Sequence, residues 1–169
     1  MEAIQNETLP ENFLEDRMPR VDASVEIDVE MYLPDDYIGA PNEKVIIYHR
    51  LVNLDEMTMI DNLVSELRDR FGPLPEPAER LVEMVKIKKL ASRLFIKSVK
   101  VSKQKMILVF DERATAKDAF IEKQLPKYID QTIAPLKFVQ TEQLKAHVTL
   151  KGRDDNDRIS FAKFFLQNI

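Results

Sequence analysis

The run Leu63-Val64-Ser65-Glu66-Leu67-Arg68-Asp69-Arg70-Phe71-Gly72-Pro73-Leu74-Pro75 restricts the fold of this chain more than any other segment. Met57, Ile60, Leu63, Val64, Leu67 and Phe71 recur every three or four residues, which is the apolar stripe of an amphipathic helix. Gly72 suits the left-handed position just past a helix end, and Pro73 prevents continuation. Pro75 and Pro77 flank the start of a further helix, where a missing N–H costs little. Leu81, Met84, Ile87, Ala91 and Leu94 give that helix its core face. Two helices joined by a rigid corner are therefore expected, with Asp55 as the N-cap of the first.

Other patterns extend this on both sides. Val25, Ile27, Val29 and Met31 alternate with Glu26, Asp28 and Glu30, the period of a half-buried strand. Leu33-Pro34-Asp35-Asp36-Tyr37-Ile38-Gly39 ends it, because proline cannot continue a ladder. Residues 43–53 read as a helix with Val45, Ile46, Tyr48, Leu51 and Val52 as its apolar positions. Beyond residue 96 the period shortens. Ser98–Val101 and Lys105–Phe110 read as a hairpin, 115–125 as a short helix stopped by Pro126, and Leu136–Val139 and Ala146–Leu150 as strands. Asp154 to Asp157 offer cap oxygens to a last helix with Ile159, Ala162, Phe165 and Leu166 inside. The fold class expected is α+β, a small, mostly antiparallel sheet packed with about five helices.

A chain of 169 residues suits one domain with a tail. Residues 1–22, with Pro10, Pro19 and many acids, read as an acidic tail or linker, and 23–169 as the domain. The net charge of −4 conceals an asymmetry: 11 acids against 2 bases in 1–36, 9 against 5 in 37–85, and 9 against 18 in 86–169. The absence of cysteine excludes disulfides, thiolate catalysis and Cys-ligated zinc. No apolar run is long enough to span a bilayer, and the acidic N-terminus lacks the features of a signal peptide.

No catalytic motif stands out. The three glycines, at 39, 72 and 152, are too scattered to form a phosphate loop. His49 and His147 have no motif around them, and His147 is expected to point outward from its strand. Asp154, Asp155 and Asp157 lack the spacing of a calcium loop. Lys86, Lys89 and Arg93 make a basic stripe on the third helix that could meet phosphates. No aromatic platform interleaves with it, and the overall pI of about 5.3 is far from that of a basic DNA-binding module. On the second helix Asn62, Glu66 and Asp69 fall opposite the core. They are either a solvated face or, with a partner, two carboxylates able to take arginines beside an amide. Paired carboxylates could also serve acid–base chemistry, which would need a cleft.

Ser24-Val25-Glu26-Ile27-Asp28 leading into Leu33-Pro34-Asp35-Asp36-Tyr37-Ile38 resembles the opening of the C-terminal domain of bacterial transcription-repair coupling factors. Ile47-Tyr48-His49-Arg50-Leu51 resembles that family's Tyr-Lys-Arg helix, with His49 at the usual lysine. Glu66-Leu67-Arg68-Asp69-Arg70-Phe71-Gly72-Pro73-Leu74-Pro75 and the helix through Lys88-Lys89-Leu90-Ala91 complete the likeness, which covers about residues 24–110 well. Phe95 stands before Ile96 where the family pattern has glycine.

The resemblance implies a C-terminal regulatory domain, non-enzymatic itself. Its parent would be a cytoplasmic ATP- and Mg-dependent DNA translocase, a helicase-like hydrolase of DNA repair. Such a parent removes stalled RNA polymerase and recruits the excision-repair protein UvrA. Residues 1–22 would be the link from the motor domain. The domain would be monomeric when isolated and without a cofactor of its own. It would pack on the N-terminal UvrB-like module of the same protein and mask UvrA binding, with Asn62, Glu66 and Asp69 at that interface. The other class in view is a nucleic-acid-binding accessory domain using Lys86, Lys89 and Arg93.

Overall fold

The computed structural model describes residues 21–150 and 152–169, so the acidic stretch 1–20 lies outside the described residues. The elements run β1 (Ser24–Ile27), α1 (Pro41–Asn53), α2 (Met57–Phe71), α3 (Glu76–Arg93), β2 (Ile96–Val101), β3 (Lys105–Phe110), α4 (Glu112–Thr115), α5 (Leu125–Asp130), β4 (Leu136–Gln140), β5 (Leu144–Thr149) and α6 (Asp155–Gln167). The strand order is β1-β2-β3-β5-β4. β1 runs parallel to β2, with Ser24 beside Ser98 and Ile27 beside Val101. Every other pairing is antiparallel. The α+β class with a mostly antiparallel sheet is thus what the sequence patterns lead to. The parallel strand follows from chain length. A parallel neighbour needs a long crossover, and α1, α2 and α3 supply it.

Two apolar cores share one helix. The sheet core joins Val99, Val101, Met106, Leu108, Phe110, Ala146 and Val148 to Ile87 and Ala91 of α3 and to Ile159, Ala162 and Phe165 of α6. Phe110 anchors it, with Phe120 and Tyr128 edge-on at 5.3 and 5.2 Å. The helical core joins Leu33, Ile38, Ile47, Leu51, Ile60, Leu63 and Leu67 to Ala78, Leu81, Val82 and Val85 of α3. The first half of α3 therefore serves one core and its second half the other. Met31 and Met84 touch both.

Four local expectations change. The first strand stops at Ile27 rather than continuing to Met31, because its partner β2 ends at Val101. Val29 N–H instead turns back to Ile27 O at 2.8 Å, and Tyr32 N–H reaches Pro77 O at 3.2 Å. On α1 the buried residues are Ile47 and Leu51, while Val45, Ile46 and Val52 face solvent. The N-cap position of α2 is Glu56, not Asp55. Pro126 does not stop a helix but lies in the first turn of α5. The preceding residues Phe120–Gln124 form a wide π-turn, in which Leu125 N–H bonds Phe120 O. Proline lacks the N–H that would extend a ladder, so a first turn tolerates it.

Candidate interaction surface

The turn before α1 is bolted to the corner after α2 by Tyr37 and to α1 itself by Tyr48. Tyr37 Oη donates to Gly72 O at 2.9 Å and lies 3.2 Å from Leu67 O, and its ring meets Phe71 at 5.7 Å. Burial raises the Tyr37 pKa, with Arg68 opposing slightly, so the hydroxyl keeps its proton as a donor. Tyr48 Oη accepts Leu33 N–H at 2.7 Å. Gly72 takes φ 87° and ψ −169°, a region open in practice to glycine alone. The expectation of a positive-φ glycine holds, although the conformation is extended rather than left-handed helical.

With α1 and α2 so fixed, their side chains meet along a seam. Arg50 of α1 grips Glu66 of α2 with both arms, Nη1 to Oε1 at 2.9 Å and Nη2 to Oε2 at 2.6 Å. Arg70 adds a bond to Glu66 at 3.3 Å, pairs with Glu43, and lies over the Phe71 ring at 4.9 Å. The Arg50 hydrogen bonds, helped by the charges of Arg50 and Arg70, pull the Glu66 carboxyl down to about 2. The Glu66 side chain nonetheless stays 36% exposed and that of Arg50 43%, so water screens the pair.

This revises the picture of the acidic ridge. Glu66 is not an open carboxylate opposite the core, because an arginine of its own domain already holds both oxygens. Asn62 and Asp69 are exposed, one turn to either side of it. The Arg50 partner was invisible to sequence reasoning, since sixteen residues separate it from Glu66 and no local spacing rule links two helices. The basic stripe divides similarly. Lys86 bonds Asp61 at 2.7 Å with only 17% of its side chain exposed, and Lys89 Nζ lies 3.4 Å from Val52 O. Arg93 is exposed. Two of the three cations thus tie α3 to α2 and α1 rather than standing out toward a phosphate backbone.

Elsewhere, His49 is exposed on α1, and His147 lies on the outer face of β5 between Ile107 and Lys137. Asp154 caps α6 by accepting Asp157 N–H at 2.8 Å. An open depression of about 530 Å³ is lined by Ile27, Asp28, Val29, Glu30, Arg80 and Asp155. Asp155 there bonds Arg158, which lowers its pKa and keeps it charged. A general acid needs the opposite shift. Among the described residues no three His, Asp or Glu side chains gather to hold a metal. No described helix is long and apolar enough to cross a membrane.

The fold and its surfaces define an α+β domain in which a helical layer, held by α1–α2 polar bonds, is carried on a mixed sheet by one shared helix. The family model for the TRCF domain matches residues 27–120, more than half of the chain, and the chain belongs to that family. It is 28% identical over 120 residues to a transcription-repair-coupling factor of Escherichia coli, covering 69% of this chain and 10% of that protein. It is 31% identical over 101 residues to a transcription-repair-coupling factor of Haemophilus influenzae, covering 59% of this chain and 9% of that protein. The chain therefore spans about a tenth of the length of these curated relatives. A crystal structure of the C-terminal domain of transcription-repair coupling factor shares the fold, with a TM-score of 0.78 at 20% identity over 89% of this chain and 93% of that one.

Proposed function

We propose that this chain is the regulatory C-terminal domain of a transcription-repair coupling factor and does no catalysis itself. The supporting observation is the near-complete overlay on a domain of that name, 93% of its length, together with the family match through residues 27–120. The parent would be a cytoplasmic ATP-driven DNA translocase that removes stalled RNA polymerase. In the resting state this domain packs on the N-terminal UvrB-like module and hides the surface that recruits UvrA. Asn62 and Asp69 make the outward contact, an amide and a carboxylate suited to arginines. Glu66, already gripped by Arg50, offers only its exposed edge and holds the seam in shape. Contacts of this kind contribute about 0–1 kcal/mol each, so the clamp is weak and can be released.

The test is a calorimetric titration of this chain with the UvrB-like module. Asp69→Arg reverses the charge at an exposed site and should weaken binding by about tenfold, as loss of roughly 1.4 kcal/mol requires. Its thermal unfolding should match that of the unaltered chain. Equal affinity for the two proteins would remove the acidic ridge from the interface, and no binding by the unaltered chain would remove the clamp.

A further inference from the structure

The sheet has a covered face and an open one. Val99, Val101, Met106, Leu108, Ala146 and Val148 lie on the covered side, where α3 and α6 pack. Side chains alternate along a strand, so the residues between these point the other way. The register brings Lys100 of β2, Lys105 of β3, Lys145 of β5 and Lys137 of β4 to that open face. Ile107, Val109 and Val139 sit among the lysines, half-buried, and belong to neither core.

This face is basic on a chain whose net charge is −4. Its four lysines stand against one acid, Glu26 of β1, which faces Lys100 in the register and reaches it at 3.7 Å. Among the described residues Lys105, Lys137 and Lys145 meet no carboxylate. The helix lysines differ, since Lys86, Lys88 and Lys163 each reach an acid of the domain. The four sheet lysines also form a grid. Lys100 stands opposite Ile107, two residues from Lys105, and Lys137 stands opposite His147, two residues from Lys145. Each pair is thus the diagonal of an antiparallel ladder, about 7–8 Å across. The two diagonals lie two strand spacings apart, about 10 Å. Cations spread in this way suit an extended polyanion and not a single ion.

Three features select the polyanion. None of the five strands contains arginine, the residue that grips carboxylates with two arms, whereas lysine binds phosphate as a point charge. Lysine is also depleted from protein–protein interfaces. Single strands are held by bases stacked on aromatic rings, and the strands' two phenylalanines turn to the covered side, Phe110 opposite Ile96 and Phe138 opposite Ala146. A duplex presents phosphates in quantity and keeps its bases stacked on each other.

We infer that the open face of the sheet, through Lys100, Lys105, Lys137 and Lys145, docks on the phosphate backbone of a nucleic-acid duplex without reading its sequence. A sheet face has no element that projects into a groove, so the base edges stay out of reach. The site is separate from the α3 stripe, whose Lys86 and Lys89 are held inside the domain. It does not rest on the clamp described above.

The experiment titrates a fluorescent DNA duplex of mixed sequence with this chain and follows anisotropy between about 50 and 200 mM salt. Four lysine–phosphate contacts give a slope of log affinity against log salt of about −3.6. Lys137→Gln/Lys145→Gln lies outside both cores, and its thermal unfolding should match that of the unaltered chain. It should halve the slope to about −1.8 and weaken binding at least about tenfold at the lowest salt. Arg93→Ala, at the exposed end of the α3 stripe, should change neither quantity, and a second duplex of unrelated sequence should bind equally. The inference is overturned if the unaltered chain shows no salt-dependent binding, or if the loss is confined to Arg93→Ala. A single strand of the same length that binds more tightly than the duplex would overturn it too. So would poly-glutamate binding as tightly as the duplex with the same loss in the lysine variant, which would assign the face to an acidic protein surface.

Discussion

At the scale of single residues, Glu66 shows how a neighbour decides what a carboxylate can do. Its pKa is about 2 in the fold against an ordinary 4.5, first through the Arg50 hydrogen bonds. A carboxyl depressed in the fold stabilises it above the unfolded value and loses that contribution as pH falls through the folded one. Glu66→Gln should therefore lower stability at pH 7 by about 0.5–1 kcal/mol, the discounted range for an exposed pair. The gap to the unaltered chain should narrow below about pH 4.5 and close near pH 2, as read by urea unfolding across pH. A gap that stays constant with pH would show that charge is not what Arg50 recognises. Arg158 presents the reverse situation. It is fully buried, donates to Asp155, and leaves Nε and Nη1 without a hydrogen-bond partner among the described residues. Burying a cation with so few bonds costs more than one half-exposed carboxylate returns. Arg158→Met should be neutral or stabilising by up to about 4 kcal/mol, and Asp155→Ala should be destabilising, because it removes the carboxylate to which the buried guanidinium donates. Melting temperatures of the two variants measure both.

At the scale of elements, the junction of α3 and β2 explains a departure from the family pattern. Phe95 stands at the place expected for glycine and takes a φ of 56°, which L-residues rarely adopt. The helix end is thus the one glycine would make, and phenylalanine bears the strain because its ring is buried in the sheet core. Its carbonyl accepts Asp111 N–H at 2.9 Å, tying the junction to the end of β3. Phe95→Gly relieves about 1–2 kcal/mol of left-handed strain but gives up the about 3–5 kcal/mol of a buried aromatic. The net should be a loss of about 2 kcal/mol in denaturant unfolding, and a gain would mean that the ring contributes little. The end of α2 and the start of α3 are legible in the sequence because Gly72, Pro75 and Pro77 act locally. The hairpin read as Ser98–Val101 and Lys105–Phe110 is legible because its period is two, although its first strand begins earlier, at Ile96. The buried side of α1 is not, since Val45, Ile46, Ile47, Leu51 and Val52 surround the helix and only packing chooses among them. The π-turn before Pro126 and the Arg50–Glu66 bond escape for the same reason: each depends on where distant elements lie. The residues placed at the candidate interface are legible as exposed polar positions at Asn62 and Asp69, and misleading at Glu66.

At the scale of the whole molecule, α3 determines whether this is one cooperative unit or two. Val85 belongs to the helical core and Ile87, two residues on, to the sheet core, and both are fully buried. Met84 contacts both cores from the same stretch of helix. Opening the helical layer would therefore strip the α3 face that carries it, and an α-helix cannot fray at its centre without losing bonds on both sides. Val85→Ala and Ile87→Ala remove apolar volume from different cores. The isoleucine change should cost about 2–5 kcal/mol and the valine change somewhat less. If α3 couples the layers, either variant lowers amide protection in β3 and in α2 by the same free energy, and unfolding stays a single transition. If the layers are independent, Val85→Ala lowers protection in α2 and leaves β3 unchanged. Hydrogen exchange on the two variants separates these outcomes. The coupled result carries a consequence for the proposed clamp, because a pull on the α2 surface would then be resisted by the entire domain instead of peeling its helical layer away.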